Sequence, residues 1–96
     1  MNVVFLDEAE QELLQAALYY ENQVDGLGKK FTGEVYRAIA RIIDFPLSNQ
    51  KLTDNIRRKL LKHYPFAVLY SFDDDTVVVI AVMNLKRKPF YWLTRV

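Results

Sequence analysis

Residues 66–84 read Phe-Ala-Val-Leu-Tyr-Ser-Phe-Asp-Asp-Asp-Thr-Val-Val-Val-Ile-Ala-Val-Met-Asn. Phe66, Val68, Tyr70 and Phe72 alternate with Ala67, Leu69 and Ser71, so an extended chain sends the two sets to opposite faces. Asp73-Asp74-Asp75 supplies a polar hairpin turn, and Thr76 to Asn84 follows as a second strand. Val77 to Val82 is apolar at every position, which suits a central strand covered on both faces better than an exposed edge. These residues predict the middle of an antiparallel sheet, which the rest of the chain has to cover.

Just upstream, Ile56 to Tyr64 mixes bases with apolar residues. It reads as a further strand, with a short helix as the alternative, and Pro65 breaks it from the next strand. The cover comes from the first half. Val3 to Leu6 is a short strand candidate, and Asp7 with Glu10 predicts a capping box that opens a helix. Ala9, Leu13, Ala16, Ala17 and Tyr20 recur at helical spacing to about Asn22, with Glu8, Glu12, Gln15 and Glu21 on the other side. Asp25-Gly26-Leu27-Gly28 is a turn. Phe31, Val35, Ala38, Ile39 and Ile42 then repeat the helical period, and Phe45-Pro46 ends the second helix near Asp44. The expectation is an α+β domain spanning residues 1–96, with a helical hairpin packed on one face of a small, mainly antiparallel sheet of three or four strands.

Composition narrows the function classes. A chain of 96 residues supports one core and one function. Cysteine is absent, which removes disulfide frameworks and thiolate metal sites and fits a reducing cytosol. Val3 to Leu6 runs straight into Asp7 and Glu8, unlike a signal peptide, and Val77 to Met83 is far shorter than the roughly 20 residues a bilayer requires. A cytoplasmic, non-membrane protein is expected. Charge is segregated along the chain. Residues 1–25 carry six acids and no Lys or Arg, whereas residues 51–96 carry nine bases against four acids. A basic C-terminal half fits a polyanionic partner, and it equally serves as a counterweight to an acidic helix.

Few side chains could carry chemistry. Asp73-Asp74-Asp75 reads as turn chemistry, not as metal ligands, and no Gly-rich phosphate loop, Gly-x-Ser-x-Gly or His-Glu-x-x-His is present, so no metal or cofactor is expected. His63 is the only histidine; it could titrate near neutrality, though beside Tyr64-Pro65 it also reads as a surface or packing residue. Arg57 and Arg58 fall on opposite faces of a strand, so only one can share a phosphate site with Arg87. Lys86-Arg87-Lys88 adjoins Phe90, Tyr91 and Trp92, a mixture of charge and stacking surface. Phe90 and Trp92 also suit closure of a core, with Tyr91 facing the other way.

The order of these pieces resembles the ParE/RelE toxin superfamily of type II toxin–antitoxin systems. Ala17-x-x-Tyr20-Glu21, Gly26-Leu27-Gly28-x-x-Phe31 and Phe45-Pro46 look like that family's helical hairpin. Ile56-Arg57-Arg58, Tyr64 to Tyr70, and Val78 to Met83 running into Lys86-Arg87-Lys88-Pro89 look like its last three strands and their basic exit. The resemblance implies a toxin neutralised by a cognate antitoxin in a hetero-oligomer. ParE-like members inhibit DNA gyrase, and RelE-like members cut messenger RNA at the ribosome. The RelE-like pattern carries over at Arg87 and, across a short gap, at Tyr91, with His63 as the available acid or base. Ala67 stands where that pattern has an arginine, which favours a ParE-like binding inhibitor. Either way Arg57, Arg58, Lys86, Arg87, Lys88 and Tyr91 are the residues expected to meet target or antitoxin. A third reading is an inactive member kept as an antitoxin-binding module.

Overall fold

The computed structural model describes residues 1–96. In chain order it contains β1 (Asn2–Phe5), α1 (Asp7–Gln23), α2 (Leu27–Asp44), β2 (Gln50–Lys51), β3 (Arg57–Leu60), β4 (Phe66–Asp73) and β5 (Thr76–Asn84), closed by a 3-10 turn at Leu93–Arg95. The strands form one sheet in the order β1-β5-β4-β3-β2. Only the β1–β5 pairing is parallel. There are five strands where three or four were expected; β2, two residues long, is too short to leave a period in the sequence. The segment after Ile56 is a strand and not a helix. No helix is long and apolar enough to cross a membrane.

β4 and β5 form the predicted hairpin, with Asp74 at φ 50° in its turn. Their register slips once. Leu69 faces Ala81 and Tyr70 faces Val79, so Ile80 is the extra residue of a β-bulge. The bulge lets the consecutive Ile80 and Ala81 share the face opposite Val79 and Val82. This is why the run reads as apolar throughout: it feeds two cores. On one face α1 and α2 pack Leu13, Phe31, Val35 and Ile42 against Val68, Tyr70 and Val79. On the other, Ala67, Leu69, Ile80 and Ala81 pack with Ile56 beneath Trp92, which is 1% exposed.

The start of α1 differs from the capping box expected at Asp7. Leu6 is the N-cap, without a side-chain cap, and Asp7 is already helical. The Leu6 N–H donates to Val79 O at 3.0 Å, which holds Leu6 in strand geometry and lets the helix begin one residue later. Asp7, Glu8 and Glu10 still lie in the first turn, where the helix dipole favours negative charge. The cap of α2 comes from the other helix: the Glu21 carboxylate accepts from the N–H groups of Gly26 at 2.9 Å and Gly28 at 3.0 Å. Gly26 takes φ 85°, and a Cβ at Gly28 would run into the Ala17 carbonyl of α1. Gly28→Ala should therefore cost about 1–3 kcal/mol through overpacking at the helix crossing, read as a lowered urea midpoint. A midpoint equal to wild type would show that the helices can separate there freely.

Candidate functional site

Beyond Phe5 the β1 edge of β5 has no strand neighbour. Side chains complete it. Glu12 on α1 accepts from Val82 N–H at 3.1 Å, and Arg95 donates to Ile80 O at 3.2 Å. The two also pair directly, Arg95 Nη1 to Glu12 Oε1 at 2.8 Å and Nη2 to Oε2 at 3.0 Å, with only 12% and 15% of the side chains exposed. The Tyr91 hydroxyl donates to Glu12 Oε2 at 2.5 Å. The guanidinium carbons of Arg87 and Arg95 stand 4.0 and 5.0 Å from the Tyr91 ring centre. Tyr91 is thus a packed, committed residue, not the outward-facing one expected. Burial, then the hydrogen bond to Glu12 and its charge, push the Tyr91 phenol well above the ordinary range, against the opposing pull of Arg95 and Arg87. The hydrogen bond to Glu12 is likewise the main cause raising Arg95.

The remaining candidates separate into different places. Trp92 closes the second core as expected, whereas Phe90 stays 47% exposed, at φ 61° with its ring 5.7 Å from the Trp92 ring. Lys86 and Lys88 are exposed on the turn after β5, where Asn84 accepts from the backbone N–H groups of Lys86 and Arg87. Arg58 and Arg87 line one groove of about 400 Å³ on the sheet face away from the helices, walled by Leu60, Leu85 and Phe90. Arg58 Nη2 donates to Gln50 Oε1, and its Nε is buried without a partner. Arg57 faces the helices and donates to the carbonyls of Leu47 at 3.1 Å and Asn49 at 2.7 Å, fastening the loop between α2 and β2. The Tyr70 hydroxyl anchors the same loop, donating to Pro46 O and accepting from Asn49 Nδ2.

His63 lies on the helix side, away from the groove of Arg58 and Arg87. Its Nδ1 stands 2.7 Å from Glu34 Oε1, and Glu34 Oε2 accepts from the N–H groups of Lys62 and His63. Burial works against the charge of Glu34, but the backbone and ring of His63 together with the Lys62 N–H hold its carboxyl below the usual range. Ala67 is fully buried in the second core. The arrangement can bind an anion beside apolar walls, at Arg58 and Arg87; it does not bring His63 to that place. Sequence reading missed Glu12 and Arg95. Glu12 sits among the polar residues of α1, and its partners lie up to 83 residues away, so no local signal marks it.

Two outcomes follow from the Glu12 cluster. Glu12→Ala strands Arg95 and the Val82 amide in a largely buried place and should cost on the order of 3 kcal/mol, with the emission of the single tryptophan, Trp92, moving to longer wavelength as its segment loosens. Because the folded-state pKa of Tyr91 is raised, its contribution is whole below about pH 10, the ordinary phenol value, and is lost as pH rises through the folded value. Wild-type stability should then fall more steeply above about pH 10 than that of Tyr91→Phe, and parallel curves would show that Tyr91 does not carry the loss.

A family model for the ParE toxin of the type II toxin–antitoxin system parDE matches residues 3–89. No curated protein matches the sequence. Among solved structures the chain is similar to one described as the chromosomal ParDE toxin–antitoxin system from P. aeruginosa, with a TM-score of 0.63 at 11% identity over 88% of this chain and 95% of that one. At that identity the likeness is one of fold. The family match runs from β1 through the basic turn after β5, so it takes in both helices and every strand. The chain belongs to the ParE toxin family of type II toxin–antitoxin systems.

Proposed function

We propose that the chain is a cytoplasmic toxin that inhibits its target by binding, the target being DNA gyrase, and that a cognate antitoxin neutralises it in a hetero-oligomeric complex. The supporting observation is the dispersal of the groups a nuclease would need. Cleaving RNA without a metal takes a base for the 2′-hydroxyl, cations for the phosphorane and an acid for the leaving oxygen. His63 pairs with Glu34 on the helix side, Tyr91 donates its hydroxyl hydrogen bond to Glu12, and a buried alanine fills position 67. What stays available is cationic surface: Lys86 and Lys88 on the exit turn, and Arg58 with Arg87 in their groove. An acidic antitoxin segment would meet these cations, whereas Arg57 is occupied with loop carbonyls.

One observation favours the alternative of ribosome-dependent messenger RNA cleavage: Arg58 and Arg87 share a groove with an exposed aromatic, Phe90. The two readings separate in paired assays. The purified chain should inhibit gyrase supercoiling or trap cleaved DNA, and should leave messenger RNA intact on translating ribosomes. Lys86→Glu with Lys88→Glu should raise the concentration needed for gyrase inhibition by about tenfold or more, since rim charges govern encounter with a polyanionic or acidic partner. Codon-positioned cuts on the ribosome that vanish in Arg87→Ala, with gyrase unaffected, would reverse the choice.

A further inference from the structure

A second cationic surface lies apart from the exit turn and from the groove of Arg58 and Arg87. Between α2 and β3 runs a groove of about 290 Å³. Arg37 and Arg41 line it from α2, Lys59 from β3 and Lys62 from the turn that follows. Arg37 and Arg41 are one helical turn apart, the spacing at which side chains on a helix are neighbours and like charges repel. The ion pairs of the protein are Met1 with Asp75, His63 with Glu34, and Glu12 with Arg95, so none of these four cations has a carboxylate partner. The one acid in the groove wall, Glu34, is already engaged by His63 and by two backbone N–H groups. Four cations thus line one channel with a single carboxylate, Glu34, among them, which leaves a clear excess of positive charge.

We propose that this groove binds the sugar–phosphate backbone of duplex DNA. Charge alone would suit any polyanion, and the lining decides between them. No Phe, Tyr or Trp lines the groove, and its one aromatic ring, His63, is tied through Nδ1 to Glu34, so it lacks the row of stacking side chains on which single strands depend. Of its apolar wall, Ala38 and Leu61 are buried in the core, 6% and 9% exposed, and Leu60 alone is open, at 51%, which leaves an acidic peptide a single aliphatic side chain for an anchor. Phosphates need neither. Guanidinium groups bind them bidentately, and cations along one groove can follow successive phosphates without reading sequence. DNA contact of this kind goes beyond gyrase inhibition and is measured without gyrase, so either can fail alone.

The test is fluorescence anisotropy of the purified chain with a labelled duplex across a salt series. If all four cations neutralise phosphates, the logarithm of the binding constant should fall against the logarithm of salt with a slope of about −3 to −4. Arg37→Glu with Arg41→Glu should weaken binding by about tenfold or more and flatten that slope by about 2. Lys29→Glu with Lys30→Glu makes the same change of net charge at exposed positions near the start of α2, outside the groove, and should shift affinity by no more than about twofold. Lys59→Gln with Lys62→Gln gives an independent reading should the first pair lose its fold, which the emission of buried Trp92 reports. Absence of duplex binding at low salt, equal losses in the groove and control pairs, or tighter binding of a single strand or of polyglutamate than of duplex would each overturn the proposal.

Discussion

A single carboxylate, Glu12, holds together parts of the chain that have no other reason to stay in register. β5 is covered on its outer edge only as far as β1 reaches, and past that point the Ile80 carbonyl and Val82 amide would be left without partners. A buried amide without an acceptor costs about 1–3 kcal/mol. Glu12 answers the amide, Arg95 answers the carbonyl, and their own charges cancel in a pair largely removed from water. The same carboxylate accepts the hydrogen bond of the Tyr91 hydroxyl, so α1, the central strand and the C-terminal segment meet at one point. Charge-assisted hydrogen bonds are the strong ones, and here they do the work of a missing strand.

From the bulge at Ile80 the rest of the architecture follows. By letting Ile80 and Ala81 fall together on the far face, it gives the sheet two apolar surfaces from one continuous run. The helices fill one, and Trp92 with Ile56 fills the other. β3 shows the complementary solution. It alternates Arg57 and Lys59 toward the helices with Arg58 away from them, and Leu60 at its end borders the grooves on both sides, so each side of the sheet receives a cation. The mixed composition that blurs β3 as a strand is what equips both sides.

Both helices and the β4–β5 hairpin were legible in the sequence, because Phe31 to Ile42 keep a helical period and Phe66 to Phe72 alternate over enough residues for a pattern to exceed noise. β2 was not, since two residues carry no period. The helix start at Asp7 was displaced by a tertiary bond from Leu6 to Val79 that no local motif encodes. The basic residues were legible as basic, but not which were spoken for. Arg57 binds two loop carbonyls and Arg58 faces open groove, though they are neighbours in sequence. Glu12 looks like any solvated acid on α1 until Arg95 and Tyr91 arrive from the far end of the chain.

That far-end closure has a consequence for how the protein is made. Residues 2–5 pair with residues 76–79, and Glu12 waits for Tyr91 and Arg95, so the contacts that finish the sheet join segments far apart in the sequence. Contacts of such long sequence separation form late, because the loop they close must first exist. While residues 91–95 are still inside the ribosome, the nascent chain can build its helical hairpin but cannot seal the edge of β5 or seat Trp92. Sealing of the β5 edge therefore waits until residues 91–95 are free to fold, and until then the helical hairpin stands beside a sheet whose second core is open.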